Sequence, residues 1–198
     1  MSPLDLRFAK ELGLRIKLLG IARLTEFGLE QRVHPCMVPL DSPIAHVEDV
    51  FNAVVVEGDF VGTTLYQGRG AGAGPTASAV VSDLIDLARG RRGLTFAVPA
   101  AELARPPAAQ LERRIGEYYI RLMVLDVPGV IADVTAALRD EKVSLESMLQ
   151  RGRDPGETVP VVLTTHDAEE AAMARALRRI AALGTVKEPP CLIRIERL

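Results

Sequence analysis

The chain has 198 residues, 48% of them hydrophobic, which favours a globular protein of one large or two small domains over a disordered chain. Its 24 basic and 26 acidic residues give a net charge of −2, so no excess of positive charge is available for nucleic acid or an anionic membrane. The sequence shows neither a long apolar stretch nor the pattern of a signal peptide. We therefore expect two domains in a cytoplasmic protein that binds neither nucleic acid nor membranes.

The two cysteines, Cys36 and Cys191, are far apart and lack the paired spacing of a metal site or a redox motif. This favours reduced thiols in the cytosol, although the sequence leaves a disulfide between them open. His34 and His46 stand apart from other ligand-type residues, and Pro35 after His34 is typical of a strand end. We predict no metal site.

The first 90 residues read as an α+β unit. Hydrophobic periodicity and turn residues predict, in chain order, a helix capped by Ser2 and closed by Gly13, an antiparallel pair of strands over 15–22 and 29–38, strands over 51–59 and 60–67, and a helix over 76–89. The last of these strands leads into a run of alternating glycines. The sequence therefore predicts a mixed or antiparallel sheet followed by a glycine-rich loop and a helix.

The glycine run consists of Gly68, Gly70, Gly72 and Gly74, and Pro75 then begins the helix. Backbone without Cβ atoms can lie very close to a ligand or to another backbone. The run fits a relaxed dinucleotide-binding fingerprint, but that motif requires a second strand ending in an acidic residue about 20 positions on, and none follows. A nucleotide-binding domain is therefore excluded here. A ligand contact and a ligand-free turn both remain open.

A Pro- and Ala-rich stretch over 91–115 predicts a linker, and the remaining residues follow the order strand, helix, strand, strand, helix, strand. This is the ferredoxin-like βαββαβ plan. The helix around Val134 and the helix around Ile180 each have one apolar face, enough to cover one side of a four-stranded sheet. The other face of that sheet, or its edge, needs a partner.

The pattern LxVxDxPGVIAxVTAALxxxxVSLESMLQ, which spans Leu122 to Gln150, resembles an ACT domain, a regulatory module that binds amino acids between paired copies. Pro128-Gly129 permits a tight turn into a helix whose first N–H groups suit a carboxylate, and Asp126 suits an ammonium group. The resemblance implies an effector site made of Asp126, Gly129, Val130, Ile131, Ser147 and Gln150. The alternative is that Asp126 only caps the helix and Gln150 lies on a solvated edge.

The segments DLRFAKELGLRIKLLGIA and RVHPCMVPLDSPIAHVEDVFNAVVVEGDFVGTTLYQGRGAGAGPTASAVVSDLIDLAR are similar to the end of the catalytic half of homoserine dehydrogenase, which that family's ACT domain follows. Such enzymes interconvert L-homoserine and L-aspartate 4-semialdehyde with NADP or NAD, and threonine often inhibits them. The resemblance implies that Gly72 contacts the nicotinamide end of the cofactor, while Gly70 and Gly74 shape the backbone around it. It also implies a homo-oligomer, a dimer or a tetramer.

The family's glycine fingerprint, substrate-binding glutamate and catalytic lysine precede the region that this chain matches. We expect no catalytic residue here, since Lys10 and Lys17 lack an acidic neighbour at suitable spacing, and Glu57 and Asp59 suit a hairpin turn. The resemblance predicts a chain divided into the dimerisation part over 1–90, the linker over 91–115 and the ACT domain over 116–198. We expect a truncated enzyme that is inactive alone. The alternative hypothesis is a stand-alone module for amino-acid sensing or oligomerisation.

Overall fold

A computed structural model describes residues 1–91, 93–94, 96–152 and 156–197. The predicted linker includes Arg92 and Thr95, and the predicted ACT domain includes 153–155 and Leu198, which lie outside the described residues. The helices and strands are, in chain order, α1 (Pro3–Glu11), β1 (Leu14–Thr25), β2 (Gly28–Pro39), β3 (Phe51–Gly58), β4 (Gly62–Arg69), α2 (Ala73–Ala88), β5 (Ile115–Leu125), α3 (Val130–Asp140), β6 (Leu145–Gln150), β7 (Thr158–Thr165), β8 (Ala168–Glu169), α4 (Glu170–Ala181) and β9 (Cys191–Ile195).

The larger sheet has the strand order β1-β2-β9-β5-β7-β6, with the short β8 paired to the start of β5. Within it, β9, β5, β7 and β6 pair antiparallel, and α3 and α4 connect them in the ferredoxin-like order. The predicted α+β fold class and the βαββαβ plan are therefore confirmed. The chain also adds β1 and β2 to the β9 edge, because β2 pairs parallel with β9 through Cys36 and Met37.

The helix-covered face of this sheet holds the largest core. Val134 and Leu138 of α3 and Met173 and Ile180 of α4 are buried against alternate residues of the strands, such as Leu122. These helical residues recur at the spacing of one face, as the sequence predicted. Burial of this apolar surface is the main favourable contribution to folding of the ferredoxin-like part.

The opposite face of the sheet is covered in part by α1. Phe8 and Ala9 pack with Tyr119, Val162 and Ile193, which are the strand residues that point away from α3 and α4. The sequence left this face, or the edge of the sheet, in need of a partner. The structure shows that the N-terminal segment of the same chain covers part of the face and that β2 covers the β9 edge.

The chain forms two compact units: residues 1–45 with 107–198, and residues 46–106. The strands predicted as one N-terminal sheet are thus divided, because β1 and β2 join the larger sheet while β3 and β4 form a two-stranded sheet of their own. The chain returns to the first unit at Pro107, and Leu29 of β2 forms an isolated bridge with Ala108. The domain division at residues 90 and 116 stays a prediction, and it differs from the division into compact units.

Asp5 connects α1 to the larger sheet through a fully buried carboxylate. The Arg121 guanidinium donates to it through Nε at 2.7 Å, and the Tyr119 hydroxyl donates at 3.0 Å. Its other oxygen accepts from the backbone N–H of Ser2 at 2.5 Å, as part of the capping box that begins α1. One side chain therefore caps the helix and fixes it to β5.

No helix among the described residues is both long enough and apolar enough to cross a membrane.

Replacing Asp5 by Asn leaves the Arg121 charge buried without its counter-charge, so we expect the free energy of unfolding to fall by about 3–5 kcal/mol. Urea denaturation of the purified chain measures this. The matched control is Glu11→Gln on the same helix, which removes an exposed pair with Arg151 at 3.0 Å and should cost about 1 kcal/mol or less. A loss in the Asp5 variant no larger than in this control would contradict the role assigned to Asp5.

The stability contributed by Asp5 should depend on pH. Burial by itself raises the pKa of the Asp5 carboxyl, but hydrogen bonds from Arg121, Ser2 and Tyr119 outweigh burial and hold that pKa below its ordinary value of 3.8. A carboxyl with a lowered folded-state pKa contributes stability at all pH values above its unfolded pKa and loses this contribution as pH falls toward the folded one. The difference in unfolding free energy between wild type and Asp5→Asn should be constant near neutral pH and narrow below about pH 4. A difference that widens on acidification would contradict this.

Candidate functional site

The glycine-rich loop follows the β3–β4 hairpin in the compact unit 46–106. The second strand of this hairpin was predicted from residue 60, but it begins at Gly62, because Asp59 to Val61 form the turn. At the end of β4, the N–H of Gly70 donates to the carbonyl of Val50 at 3.5 Å. A Cβ on Gly70 would overlap the side-chain amide of Asn52, so the backbone here passes close to β3.

Gly72 caps the N-terminus of α2 with a φ of 118°, a backbone conformation that residues with a Cβ rarely adopt. The helix was predicted from residue 76 to residue 89, but it begins three residues earlier, at Ala73, because the Gly72 carbonyl already accepts from the Thr76 N–H at 3.0 Å. Pro75 therefore lies inside the first turn, where a backbone N–H has no acceptor within the helix.

No contact among the described residues requires a glycine at position 74, since a Cβ on Gly74 would meet no atom within 4 Å. Of the three predicted cofactor-contacting glycines, Gly70 and Gly72 thus have a local reason to be glycine, and Gly74 faces open space. The role of Gly70, Gly72 and Gly74 in cofactor binding stays a prediction.

Helix α2 has 16 residues and none of them is buried. Its large apolar side chains are between 43% and 70% exposed: Val80, Val81, Leu84, Ile85 and Leu87. The paired strands show the same feature, with Val54 at 61% and Tyr66 at 66% exposure. An apolar surface of this size on one helix and one hairpin is typical of a face that binds another protein surface.

The predicted effector turn follows β5. Gly129 caps α3 with a φ of 95°, Val130 is 4% exposed, and Ile131 packs against the core below α3. The backbone of Asp126 is fixed by two hydrogen bonds, from its N–H to Glu157 at 2.9 Å and from the Gly156 N–H to its carbonyl at 3.2 Å. The first N–H groups of α3 have no acceptor within the helix, so the turn retains the donors that a carboxylate would need.

Ser147 and Gln150 lie on opposite faces of β6. Ser147 pairs with Thr164 on the α1 side of the sheet, where the two hydroxyl oxygens are 2.7 Å apart. Gln150 pairs with Val161, which belongs to the core under α3 and α4. A bulge between Leu145 and Ser147 sets this register, and sequence alternation alone gives no sign of it. Within one chain, the six predicted effector residues therefore do not surround a single pocket, and their common role stays a prediction.

His34 is less isolated than the sequence suggested. Its Nδ1 lies 3.2 Å from the Cys36 sulfur, because residues i and i+2 of a strand share a face, and the β2–β9 pairing adds Glu196, so that all three ligand atoms lie within 4.8 Å of one another. The spacing of His34 and Cys36 along a strand was a signal that sequence analysis could have used.

The surroundings of this cluster do not favour a metal ion. One oxygen of Glu196 already accepts from Arg32 and from Arg114, each at 2.7 Å. Burial, and next the charge of Glu196, raise the pKa of the Cys36 thiol to about 11, so the sulfur stays protonated at neutral pH. Both cysteines are free thiols, so the disulfide that the sequence left open is absent from the structure.

The three glycines should respond differently to alanine. Gly72→Ala forces a Cβ into a left-handed backbone and should cost the first turn of α2 roughly 1–3 kcal/mol, whereas Gly74→Ala should be tolerated or slightly stabilising. Gly70→Ala should lie between them, since the Asn52 side chain can move. Hydrogen exchange of the Thr76 amide measures the effect. Equal exchange rates in the Gly72 and Gly74 variants would contradict the assignment.

Comparison with known proteins places these features in two families. Residues 1–85 match the homoserine dehydrogenase family, and residues 118–182 match the ACT domain family. The homoserine dehydrogenase of Neisseria gonorrhoeae is 41% identical over 200 residues, which cover 98% of this chain and 46% of that protein. That of Pseudomonas aeruginosa is 40% identical over 205 residues, with coverage of 100% and 47%.

A solved structure has the same fold. The crystal structure of a homoserine dehydrogenase from Thiobacillus denitrificans superposes with a TM-score of 0.88 at 42% identity, and the match covers 100% of this chain and 46% of that one. The chain spans about half the length of the curated relatives that it matches. It belongs to the homoserine dehydrogenase family over its first 85 residues and carries an ACT domain over residues 118–182.

Proposed function

We propose that this chain supplies the cofactor-facing loop, the subunit contact and the regulatory domain of a homoserine dehydrogenase, and that it needs a nucleotide-binding domain for turnover. The exposed apolar surface of α2 supports this most directly, because a helix with no buried residue needs another protein surface. The relatives, about twice as long, contain additional chain that could provide that surface.

The proposed reaction is the interconversion of L-homoserine and L-aspartate 4-semialdehyde, in which bound NADP or NAD accepts or donates the hydride. The part assigned to this chain is positioning. Gly72 gives the loop a backbone conformation that an ordinary residue resists. Gly70 and Gly74 would shape the backbone around the ring, and Gly70 also lets the loop pass close to Asn52. No residue of this chain is proposed to be catalytic. Lys10, for example, lies exposed on α1.

The proposed regulation is binding of threonine or a related amino acid by the ACT domain, in a cytoplasmic enzyme of threonine, methionine and isoleucine biosynthesis. The N–H groups of Gly129, Val130 and Ile131 would receive the carboxylate, and Asp126 would accept from the ammonium group. Ser147 and Gln150 do not share a face of β6 within one chain. They would therefore contact the ligand from a second copy of the chain or from different faces of the sheet.

The proposed oligomer forms through the outer face of β1 and β2. Leu18, Leu24 and Val33 are 72%, 75% and 73% exposed, while the inner face of the same strands buries the charged side chains of Glu30 and Arg32. Large apolar side chains this exposed on one sheet face are typical of a surface that binds another protein. A second copy of this chain, in a dimer or a tetramer, would cover the apolar face.

The alternative function is a stand-alone module for amino-acid sensing or oligomerisation. The observation in its favour is that residues 1–45 and 107–198 form a unit with hydrophobic clusters on both faces of its sheet. Such a unit can fold without further chain.

Enzyme assays distinguish the two functions. The purified chain should show no homoserine-dependent reduction of NADP or NAD, and co-expression with the nucleotide-binding half of the Neisseria gonorrhoeae relative should produce activity. Gly72→Val should then lower kcat/KM by roughly 100-fold, because the ring can no longer reach its position. Gly184→Val, at a glycine with open space around it, is the matched control.

Activity of the purified chain alone that survives repurification would contradict the need for a nucleotide-binding domain. Failure of every combination to turn over, together with amino-acid binding in calorimetry, would support the stand-alone module instead.

Leu18→Glu and Val33→Glu should convert the oligomer into a monomer, because each places a charge in the apolar contact. Light scattering after size-exclusion chromatography measures the mass. Leu6→Glu is the control, since Leu6 is an exposed apolar residue of α1, outside this face. A wild-type chain that is a monodisperse monomer would contradict the proposed contact.

A further inference from the structure

A cleft of about 490 Å³ lies on the α1 side of the larger sheet, within the unit formed by 1–45 and 107–198. Its volume falls in the range of small-molecule sites. The end of α1, the start of β1 and the end of β2 form one wall, and β6, β7 and the end of β9 form the other. Residues that are distant in the sequence therefore meet here, and the turn at Gly129 contributes none of those that line it.

One part of the cleft is apolar. Leu12, Leu14, Pro39 and Ile195 line it, and two of these, Leu14 and Ile195, are buried. Such a surface suits a short aliphatic group, which would gain from leaving water.

The other part of the cleft carries charges of both signs and two hydroxyls. Its polar side chains are Asp41, Glu146, Ser147, Thr164 and Arg197. Thr164 donates to the Glu146 carboxylate at 3.2 Å, so Ser147, 2.7 Å from Thr164, donates to it in turn and keeps its own oxygen as an acceptor.

Arg197 is held in place without using up its donors. Its Nε donates to both oxygens of Glu117, at 2.8 and 2.9 Å, while its Nη2 is 3.9 Å from Glu146, beyond hydrogen-bond distance. The hydrogen bond to Glu117 raises the pKa of Arg197; burial lowers it in part, and the charges of Glu117, Glu146 and Asp41 raise it further. The guanidinium thus presents N–H groups in the planar arrangement that binds carboxylates.

We propose that this cleft binds a free α-amino acid, with Arg197 on the carboxylate, Glu146 and Asp41 on the ammonium group, and Leu12 and Pro39 against the side chain. A zwitterion fits because it brings one partner for each sign of charge, whereas a simple anion would face two carboxylates. The cleft shares Ser147 with the proposed effector residues but none of the residues of the turn at Asp126 and Gly129. It does not depend on the proposed dehydrogenase activity, since binding is measured on the chain itself.

Calorimetry of the purified chain against a panel of the common amino acids at millimolar concentration tests the proposal. At least one amino acid should bind wild type, and Arg197→Gln and Glu146→Gln should each weaken it by roughly 10- to 100-fold, the effect of losing a charged hydrogen bond. Arg178→Gln, which changes an exposed arginine of α4, should leave binding unchanged. Circular dichroism should show that each variant is folded.

Two further arms fix the site and the chemistry. Asp126→Asn tests the proposed effector turn, and the binding that Arg197→Gln weakens should persist in this variant. The α-carboxamide derivative of the bound amino acid lacks the carboxylate, so it should bind wild type weakly. Arg197→Gln should weaken the binding of this derivative little further. Binding that is lost in the Asp126 variant but kept in the Arg197 and Glu146 variants would place the ligand at the turn and overturn the proposal. Absence of binding by any amino acid would overturn it as well.

Discussion

The buried carboxylate of Asp5 joins two parts of the chain that are more than a hundred residues apart in sequence. It caps α1 from within its first turn and accepts hydrogen bonds from Arg121 and Tyr119 of β5. Because a charge removed from water must be compensated completely, α1 has one position on the sheet in which Asp5, Arg121 and the Ser2 N–H are all satisfied. The hydrophobic contacts of Phe8 and Ala9 then follow from that position. The covered sheet face and the cleft beside the end of α1 both depend on it.

A second buried network joins the same two segments at the other side of the sheet. Glu196, after β9, accepts from Arg32 of β2 and from Arg114 before β5, and Arg32 also pairs with Glu30. This network pairs the charges that the inner face of β2 buries in line with the apolar Cys36 and Val38. The ACT strands and the first two strands form one sheet.

The compact unit 46–106 differs from the rest because its large apolar side chains are mostly exposed and not buried in a core. Helix α2 buries none of its residues, and the hairpin beside it exposes valines and a tyrosine. The hydrophobic effect favours covering such a surface with another protein surface. This property, more than any single residue, supports a role as one part of a larger enzyme.

Local patterns in the sequence were enough for the order of the longer helices and strands, the βαββαβ plan, the apolar faces of α3 and α4, and the turn at Gly129, because periodicity and backbone preference act over a few residues. Helix α2 shows the limit of such patterns. It begins three residues before its predicted start, because the Gly72 carbonyl accepts a hydrogen bond from the Thr76 N–H. Only the tertiary structure decided that β2 pairs with β9, that Asp5 meets Arg121, and that a bulge turns Ser147 toward α1. These outcomes depend on which distant strands pair and which buried charges find partners, and no local pattern encodes such long-range choices.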